Sequence, residues 1–221
     1  MSILTVKNLS FKYEKHGKSV LNNVSFELEK GTITGLIGDN GSGKTTLMKL
    51  ISGILHSDEG EITSTSESMG VLIEEPSLYE DMSVMGNLKF YCRLYGRNFV
   101  VIDQYKQILG VEKYLGKKAA KLSLGMKQRV GLFVALICSE EFIMLDEPTN
   151  GLDPTGTRDL LTLIKHLVEE HEITFVISSH ILQNLEQICD SYIMLKNSNA
   201  ILFDKSHIEK ANLNEVYFNE K

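Results

Sequence analysis

The sequence predicts an α/β fold in which strands and helices alternate around a parallel sheet. The segments ITGLI at 33–37 and ITFVI at 173–177 are continuously apolar, as strands buried on both faces are. A third apolar strand, FIML at 142–145, is followed by a helical pattern with Asp153 as N-cap and Pro154 as first helical residue. Short connections between such elements are typical of a three-layer architecture.

The first thirty residues predict β-structure outside the parallel sheet. Val24, Phe26 and Leu28 alternate with polar neighbours, which is the period of a strand buried on one face. We therefore expect an antiparallel β subdomain at the N-terminus.

A mostly helical insert, from about 77 to 137, is predicted between two strands of the core. Ser83 is a suitable N-cap for its first helix, and further helical stretches are expected from Asp103 and from Ser123. Since no long linker divides the sequence, we expect one domain over residues 1–221 with the insert as a helical subdomain. The closing residues 206–221 are polar and suggest no chemistry.

The composition argues against several classes of function. Of the 221 residues, 43% are hydrophobic and 24% charged, and the formal net charge of −6 makes nucleic acid an unexpected partner. The longest apolar stretch, VGLFVALIC at 130–138, is half of a membrane span, and the N-terminus lacks the pattern of a secretory signal. The three cysteines have no metal-ligand spacing, so we expect reduced thiols in a cytosolic protein.

The segment GDNGSGKT at 38–45 fits the phosphate-loop pattern G-x-x-x-x-G-K-[ST]. Gly41 and Gly43 allow the backbone to direct N–H groups at phosphates, in conformations that side chains would obstruct. The Lys44 ammonium suits the β- and γ-phosphate oxygens, and the Thr45 hydroxyl suits Mg²⁺. A chance glycine-rich loop is the alternative, but this one follows a buried strand and opens a helix, as the motif requires.

The predicted ATP-binding residues cover the whole loop and the start of the helix. They are Gly38, Asp39, Asn40, Gly41, Ser42, Gly43, Lys44, Thr45 and Thr46. The helix would add the positive end of its dipole to the site. Its apolar side is expected to carry Leu47, Leu50, Ile51 and Ile54.

Two carboxylates follow the strand at 142–145, at the edge of a parallel sheet where ligands bind. Asp146 would hold Mg²⁺ and Glu147 would polarise the attacking water, because phosphoryl transfer needs an oriented nucleophile and charge neutralisation. The alternative is a solvated strand end, which the neighbouring phosphate loop disfavours. His180 follows TFVISS and reaches the same edge, where a lone histidine is more often structural than catalytic.

Further segments distinguish among the families that share a phosphate loop. LSLGMKQR at 122–129 resembles the LSGGQ-type signature of ATP-binding cassette (ABC) ATPases. DEPTNGLDP at 146–154 resembles their Walker B and D-loop, and SSH at 178–180 resembles their switch histidine. Tyr13, within LSFKY, matches the aromatic residue on which adenine stacks. Over about residues 3–205 the chain thus resembles the ATP-binding subunit of an ABC transporter, with a P-loop NTPase (RecA-like) core.

The resemblance implies a head-to-tail dimer that buries two ATP molecules with Mg²⁺. Each ATP would lie between the phosphate loop of one copy and the signature of the other. Ser123 and Gly125 would then contact the γ-phosphate across the dimer, and Asp153 would act across it, although both Ser123 and Asp153 also suit N-caps. Glu147 and His180 would be the catalytic residues. A separate integral-membrane permease is implied, with this subunit peripheral on the cytoplasmic face of the membrane.

Two departures from the family pattern narrow the resemblance. Glu74, in GVLIEEP, stands where the family has the Q-loop glutamine; it would ligate Mg²⁺ while adding negative charge, or it is only a solvated loop residue. Leu124 and Met126 depart from the LSGGQ spelling, whereas Ser123 and Gly125 are kept. Together these features resemble exporters linked to bacitracin resistance and lantibiotic immunity. The implied function is ATP hydrolysis that powers export of an antimicrobial peptide or a similar compound.

Two other classes of function stay open at this point. Some ABC ATPases act on ribosomes or DNA, but they typically have two cassettes with a basic linker or a long coiled-coil insert, and this sequence has neither. A nucleotide-binding regulator that does not hydrolyse ATP is less favoured, because Lys44, Asp146, Glu147 and His180 are all present.

Overall fold

The computed structural model describes residues 1–57, 59–74 and 76–205, so residues 206–221 of the predicted single domain lie outside the described residues. The described strands are β1 (Ser2–Phe11), β2 (Leu21–Glu29), β3 (Ile33–Ile37), β4 (Glu59–Ser64), β5 (Gly70–Leu72), β6 (Phe142–Leu145), β7 (Thr174–Ser179), β8 (Ser191–Lys196) and β9 (Asn199–Asp204). The described α-helices are α1 (Lys44–Ile51), α2 (Val84–Leu94), α3 (Val100–Tyr105), α4 (Leu124–Cys138), α5 (Pro154–His171) and α6 (Leu182–Glu186). Short 3₁₀ turns span Glu112–Tyr114 and Ala119–Lys121.

The central sheet has the strand order β5-β6-β7-β3-β8-β9. All neighbouring pairs are parallel except β8 and β9. The predicted strands at 33–37 and 142–145 have the expected bounds, and the one predicted at 173–177 spans Thr174–Ser179. Because parallel strands end at one edge, the residues that follow β3, β5, β6 and β7 are neighbours. The predicted α/β fold is confirmed.

The predicted N-terminal antiparallel β subdomain is confirmed: β1 and β2 pair in a separate sheet of order β2-β1-β4, which also takes in β4 from later in the chain. Val24, Phe26 and Leu28 are buried and alternate with exposed neighbours along β2. They pack in one apolar cluster with Leu47 and Met48 of α1. This sheet therefore covers the helix that opens after the predicted phosphate loop.

Helix α1 is shorter than the apolar pattern predicted. It ends at Ile51, and Gly53 follows with φ of 73°, a left-handed conformation that terminates helices. Ile54 is consequently 62% exposed, so its expected place on the buried side is wrong.

Between β5 and β6 the described chain is helical. Ser83 is the N-cap of α2, and its hydroxyl accepts a hydrogen bond from the Gly86 amide at 3.0 Å. Helix α3 begins at Val100, so the predicted start at Asp103 is wrong. The first turn lies before Asp103 because Val101 and Ile102 are buried in the helical conformation. None of the helices within the described ranges combines the length and hydropathy that a membrane span requires.

Candidate functional site

The loop between β3 and α1 closes around the Lys44 side chain. Gly41 and Gly43 have φ of 80° and 106°, in the left-handed region where glycine is strain-free. Lys44 is only 6% exposed, and its ammonium donates to the carbonyls of Gly38 at 2.7 Å and Asp39 at 3.2 Å. The loop therefore holds a buried positive charge at the N-terminus of a helix, which is a favourable place for an anion.

The inner wall of the loop leaves no room for a side chain at Gly38. A Cβ there would lie 2.4 Å from Ser42 Oγ and 2.7 Å from the Leu195 carbonyl oxygen. Ser42 Oγ is buried and has no hydrogen-bond partner among the described residues, so it offers an unused donor to a phosphate oxygen. Asp39, Asn40 and Gly41, by contrast, are exposed on the outer rim.

Asp146 is held by hydroxyl groups from two other elements. It is 6% exposed; Thr45 Oγ1 donates to its Oδ2 at 2.7 Å, and Ser178 Oγ donates to its Oδ1 at 2.5 Å. Ser178 also accepts from the Glu147 amide at 2.8 Å. Ser178 was not predicted as a site residue, although its position at the end of β7, beside the end of β6, is the signal that could have found its contact with Asp146.

Glu147 links the phosphate loop to the predicted switch histidine. Its Oε2 lies 2.7 Å from His180 Nδ1, and its Oε1 lies 3.8 Å from Lys44 Nζ. Its backbone has φ of 48°, a strained conformation for a non-glycine residue and one often found at functional sites. A carboxylate fixed in this way, with 22% of its side chain exposed, can orient a water molecule.

Glu74 lies beyond the end of β5, also with a left-handed backbone at φ of 65°. Its Oε1 accepts a hydrogen bond from Lys49 Nζ of α1 at 2.9 Å. That hydrogen bond is the main reason why the pKa of Lys49 is raised. Sequence reasoning did not single out Lys49, because nothing local connects α1 to the end of β5.

Tyr13 is attached to the start of α1. Its hydroxyl and Thr46 Oγ1 are 3.0 Å apart, and its ring packs edge-on against Phe11 with centroids 5.1 Å apart. The residue is nevertheless 63% exposed, so a ring face is available beside the phosphate loop. An adenine base is flat and aromatic, so it can stack on such a face.

Ser123, Gly125 and Asp153 are not joined to this network. Ser123 Oγ accepts from the Met126 amide at 3.4 Å as the N-cap of α4, and Asp153 accepts from the Gly156 amide at 3.0 Å as the N-cap of α5. The predicted N-cap roles are confirmed. In the part of the chain that the structure describes, no hydrogen bond or ion pair connects these residues to the phosphate loop.

The residues present fit a Mg²⁺ ion that a nucleotide would bring. Among the described residues, no cluster of three or more His, Cys, Asp or Glu side chains could hold a metal on its own. Thr45 and Asp146 nevertheless present adjacent oxygen atoms beside the phosphate loop. Mg²⁺ usually takes one or two protein oxygens and completes its shell with phosphate oxygens and water.

The comparisons with known proteins agree with this geometry. The family described as ABC transporter matches residues 21–150, from β2 through the phosphate loop to Asn150. The lantibiotic transport ATP-binding protein SrtF of Streptococcus pyogenes is 34% identical over 226 residues, covering 99% of this chain and 97% of that protein. The chain belongs to the ABC transporter ATP-binding family.

Other similar proteins are also ATP-binding subunits of ABC transporters. The bacitracin transport ATP-binding protein BcrA of Bacillus licheniformis is 35% identical over 216 residues, covering 91% of this chain and 70% of that protein. A solved ATP-binding subunit of an ABC transporter superposes with a TM-score of 0.86 at 28% identity, covering 99% of each chain. The CbiO1 subunit of Clostridium perfringens, part of an ABC transporter complex, also gives 0.86, at 26% identity over 97% of this chain and 92% of that one.

The family establishes the activity: this subunit binds ATP and hydrolyses it to power transport. The resemblance to the bacitracin and lantibiotic branch is confirmed by SrtF and BcrA. An ABC ATPase that acts on ribosomes or DNA is not favoured, because these relatives are transport proteins.

Proposed function

We propose that two copies of this chain hydrolyse Mg²⁺-ATP as a head-to-tail dimer and thereby drive export through a separate membrane permease. The observation that carries the proposal is the network at one sheet edge, where Lys44, Asp146, Glu147 and His180 are linked directly or through Thr45 and Ser178. This network contains the groups that phosphoryl transfer needs: a cation for the phosphates, an acid for the metal and an oriented base.

In this proposal the residues of the phosphate loop bind and orient the nucleotide. The buried Lys44 ammonium pairs with β- and γ-phosphate oxygens, and backbone amides from Asp39 to Thr46 donate to them. Adenine stacks on the exposed ring of Tyr13. Thr45 and Asp146, with Glu74 at the neighbouring strand end, would hold Mg²⁺, which neutralises charge on the phosphates when bound.

Glu147 is the proposed general base for the attacking water. His180 keeps the carboxylate in place from one side and Lys44 from the other, at 2.7 and 3.8 Å. Ser178 fixes the Glu147 backbone through the amide hydrogen bond at 2.8 Å. The base is thus restrained at both its side chain and its main chain, so little reorganisation is needed before reaction.

The second half of the site would come from the partner copy. Ser123 and the Gly125 amide, at the N-terminus of α4, suit the γ-phosphate of an ATP bound to the other copy. Asp153 would contact the same interface. Supporting this, the neighbouring Leu124 is 43% exposed, although it is a large apolar side chain.

The cargo and the location follow from the relatives. SrtF and BcrA are named for lantibiotic and bacitracin transport, which supports an antimicrobial peptide or a similar compound as the exported substrate. We infer that the subunit lies in the cytoplasm against the inner face of the membrane. The segment from about 77 to 137 would form a helical subdomain on which the permease docks.

The catalytic assignment is tested by Glu147→Gln. The variant should bind ATP with unchanged affinity, lose turnover, and elute as a dimer in Mg²⁺-ATP, because the water loses its base while the interface is kept. Phosphate release and size-exclusion chromatography measure the two effects. Hydrolysis at the wild-type rate would contradict the assignment.

The shared site is tested by mixing two inactive variants, Lys44→Ala and Ser123→Arg. A mixed dimer contains one site with both an intact loop and an intact signature, so activity should return to about one quarter of the wild-type rate in an equal mixture. Each variant assayed alone at the same total concentration is the control and should stay inactive. No recovery, with mixed dimers detected by a tag on one partner, would mean that the signature does not act across the dimer.

Export is tested in cells of the source strain. Deletion of the gene should raise sensitivity to lantibiotics or bacitracin, and the wild-type gene should restore resistance whereas Glu147→Gln should not. Unchanged sensitivity to both classes would reject the proposed cargo but leave the ATPase assignment intact.

A further inference from the structure

Three carboxylates lie at the edge where the neighbouring parallel strands β5 and β6 end. Asp146 and Glu147 follow β6, and Glu74 follows β5, whose Leu72 is aligned with Leu145 and accepts a hydrogen bond from the Asp146 amide at 2.8 Å. A nucleotide triphosphate would bring several more negative charges to this edge. The distribution of positive charge around the three acids therefore affects how strongly it binds.

Each of the two glutamates has its own lysine from helix α1. Lys44, the first residue of the helix, lies 3.8 Å from Glu147, and Lys49, five residues later, lies 2.9 Å from Glu74. Asp146 is instead satisfied by hydroxyl groups. Lys44 has a role in the proposed function, whereas Lys49 has none so far.

The Lys49–Glu74 pair is accessible to solvent and can exchange partners. The side chains are 28% and 69% exposed, and an ion pair so exposed contributes little to folding stability. The hydrogen bond to Glu74 and, to a smaller extent, the negative charge of Asp146 raise the pKa of Lys49, so the ammonium lies within electrostatic reach of the metal-binding acid. Glu74 cannot pair fully with Lys49 and coordinate a cation through the same oxygen.

We propose that Lys49 is a positioning residue that neutralises Glu74 and competes with Mg²⁺ for its carboxylate. The inference rests on the proposed function, in which Glu74 belongs to the Mg²⁺-ATP site. Where the family usually has a neutral amide, this chain has a carboxylate, and Lys49 offsets the added negative charge. Lys49 thereby tunes how strongly nucleotide binding depends on Mg²⁺.

The test is a double-mutant cycle on ATP binding, using Lys49→Gln, Glu74→Gln and the double variant. The dissociation constant of a fluorescent ATP analogue is measured once with Mg²⁺ present and once with excess chelator. The readout is the dissociation constant in chelator divided by the dissociation constant in Mg²⁺. In Lys49→Gln the unpaired carboxylate repels metal-free ATP and becomes available to Mg²⁺, so the ratio should rise about fivefold. In the Glu74→Gln background the same change should alter the ratio less than twofold.

Two controls separate this role from a structural one. Lys106→Gln removes a lysine from a pair of matched exposure, 26% for Lys106 and 74% for Asp103, and should leave the ratio unchanged. Lys49→Arg retains the charge and should restore the wild-type ratio. The effect of Lys49→Gln should also shrink in 0.5 M salt, since exposed charges are screened.

The outcomes distinguish this inference from the proposed function. An unchanged ratio in Lys49→Gln, or an equal change in both Glu74 backgrounds, would overturn the role of Lys49. A rise in the ratio for Lys49→Gln that is absent in the Glu74→Gln background supports the role of Lys49. Binding is measured at a protein concentration at which size-exclusion chromatography gives a monomer, so failure of the proposed dimer or of export would leave the cycle interpretable.

Discussion

The edge around Lys44 and the start of helix α4 differ in how their polar groups are satisfied. At the edge, side chains from β3–α1, β6 and β7 bond to one another over long sequence separations, such as Thr45 to Asp146. At the start of α4, the Ser123 hydroxyl accepts a hydrogen bond from the Met126 amide of its own helix, and Leu124 is 43% exposed. The polar groups of the first region are therefore satisfied by other elements of the same chain, whereas the start of α4 is exposed to solvent.

This difference indicates which part of the chemistry a single copy can carry out. A preorganised network can bind and orient a nucleotide without a partner, because its groups are already fixed. An exposed helix N-terminus has unsatisfied amides and favours an anion, which in the proposed dimer is the γ-phosphate of an ATP held by the other copy. Removing the Lys44 ammonium should therefore impair ATP binding by a single copy, whereas changing Ser123 should impair turnover without changing that binding.

Lys44→Ala should have the largest effect. Removing the buried ammonium takes away a hydrogen-bond donor to the Gly38 and Asp39 carbonyls and the cationic partner of the phosphates, so ATP affinity and turnover should each fall about 10²–10³-fold. Fluorescent-nucleotide titration and phosphate release measure both. Binding that survives within tenfold would show that the loop backbone alone holds the phosphates.

Ser123→Ala should lower turnover about 10–100-fold while ATP affinity of the monomer changes less than twofold. The matched control is Ser83→Ala, which also removes an N-cap, with a hydrogen bond to Gly86 at 3.0 Å. Each variant should lose about 1 kcal/mol of unfolding free energy. If Ser83→Ala reduced turnover as strongly, the effect would come from helix stability and the comparison of the two regions would fail.

Glu74→Gln should change turnover by less than about tenfold, because an amide oxygen also coordinates Mg²⁺ and the ion pair it removes is exposed. Steady-state hydrolysis as a function of Mg²⁺ concentration is the measurement. Complete loss of activity would assign the carboxylate a more specific role than metal ligation.

Leu124→Gly should have the smallest effect, with turnover within about threefold and a stability loss of about 1 kcal/mol or less. Leu124 packs over Gly151, where a Cβ would approach its Cδ2 to 2.9 Å, but much of the side chain is exposed. Thermal unfolding and phosphate release test this. A larger loss of turnover without loss of stability would contradict this ranking and give Leu124 a large share of the dimer interface.

The site residues that could be named from sequence are those whose chemistry depends on local spacing. The phosphate loop needs glycines, Lys44 and Thr45 in one short segment, and the structure closes that segment around the ammonium. Similarly, Asp153 before Pro154 predicted where α5 begins. Two helix ends were predicted wrongly, because the apolar period does not determine them. Helix α3 begins earlier than predicted because Val101 and Ile102 are buried, and α1 ends before Ile54 because Gly53 adopts a left-handed conformation.

The sequence by itself determined the family, the fold class and the residues that we propose to bind the phosphates, because short motifs carry those properties. Only the tertiary structure decided which side chains of the site contact each other. His180 contacts Glu147, Ser178 holds Asp146, and Lys49 holds Glu74 across 33, 32 and 25 positions of sequence. Such pairs depend on strand order and on the register of parallel strands, which arise from packing of the whole core and leave no local signature.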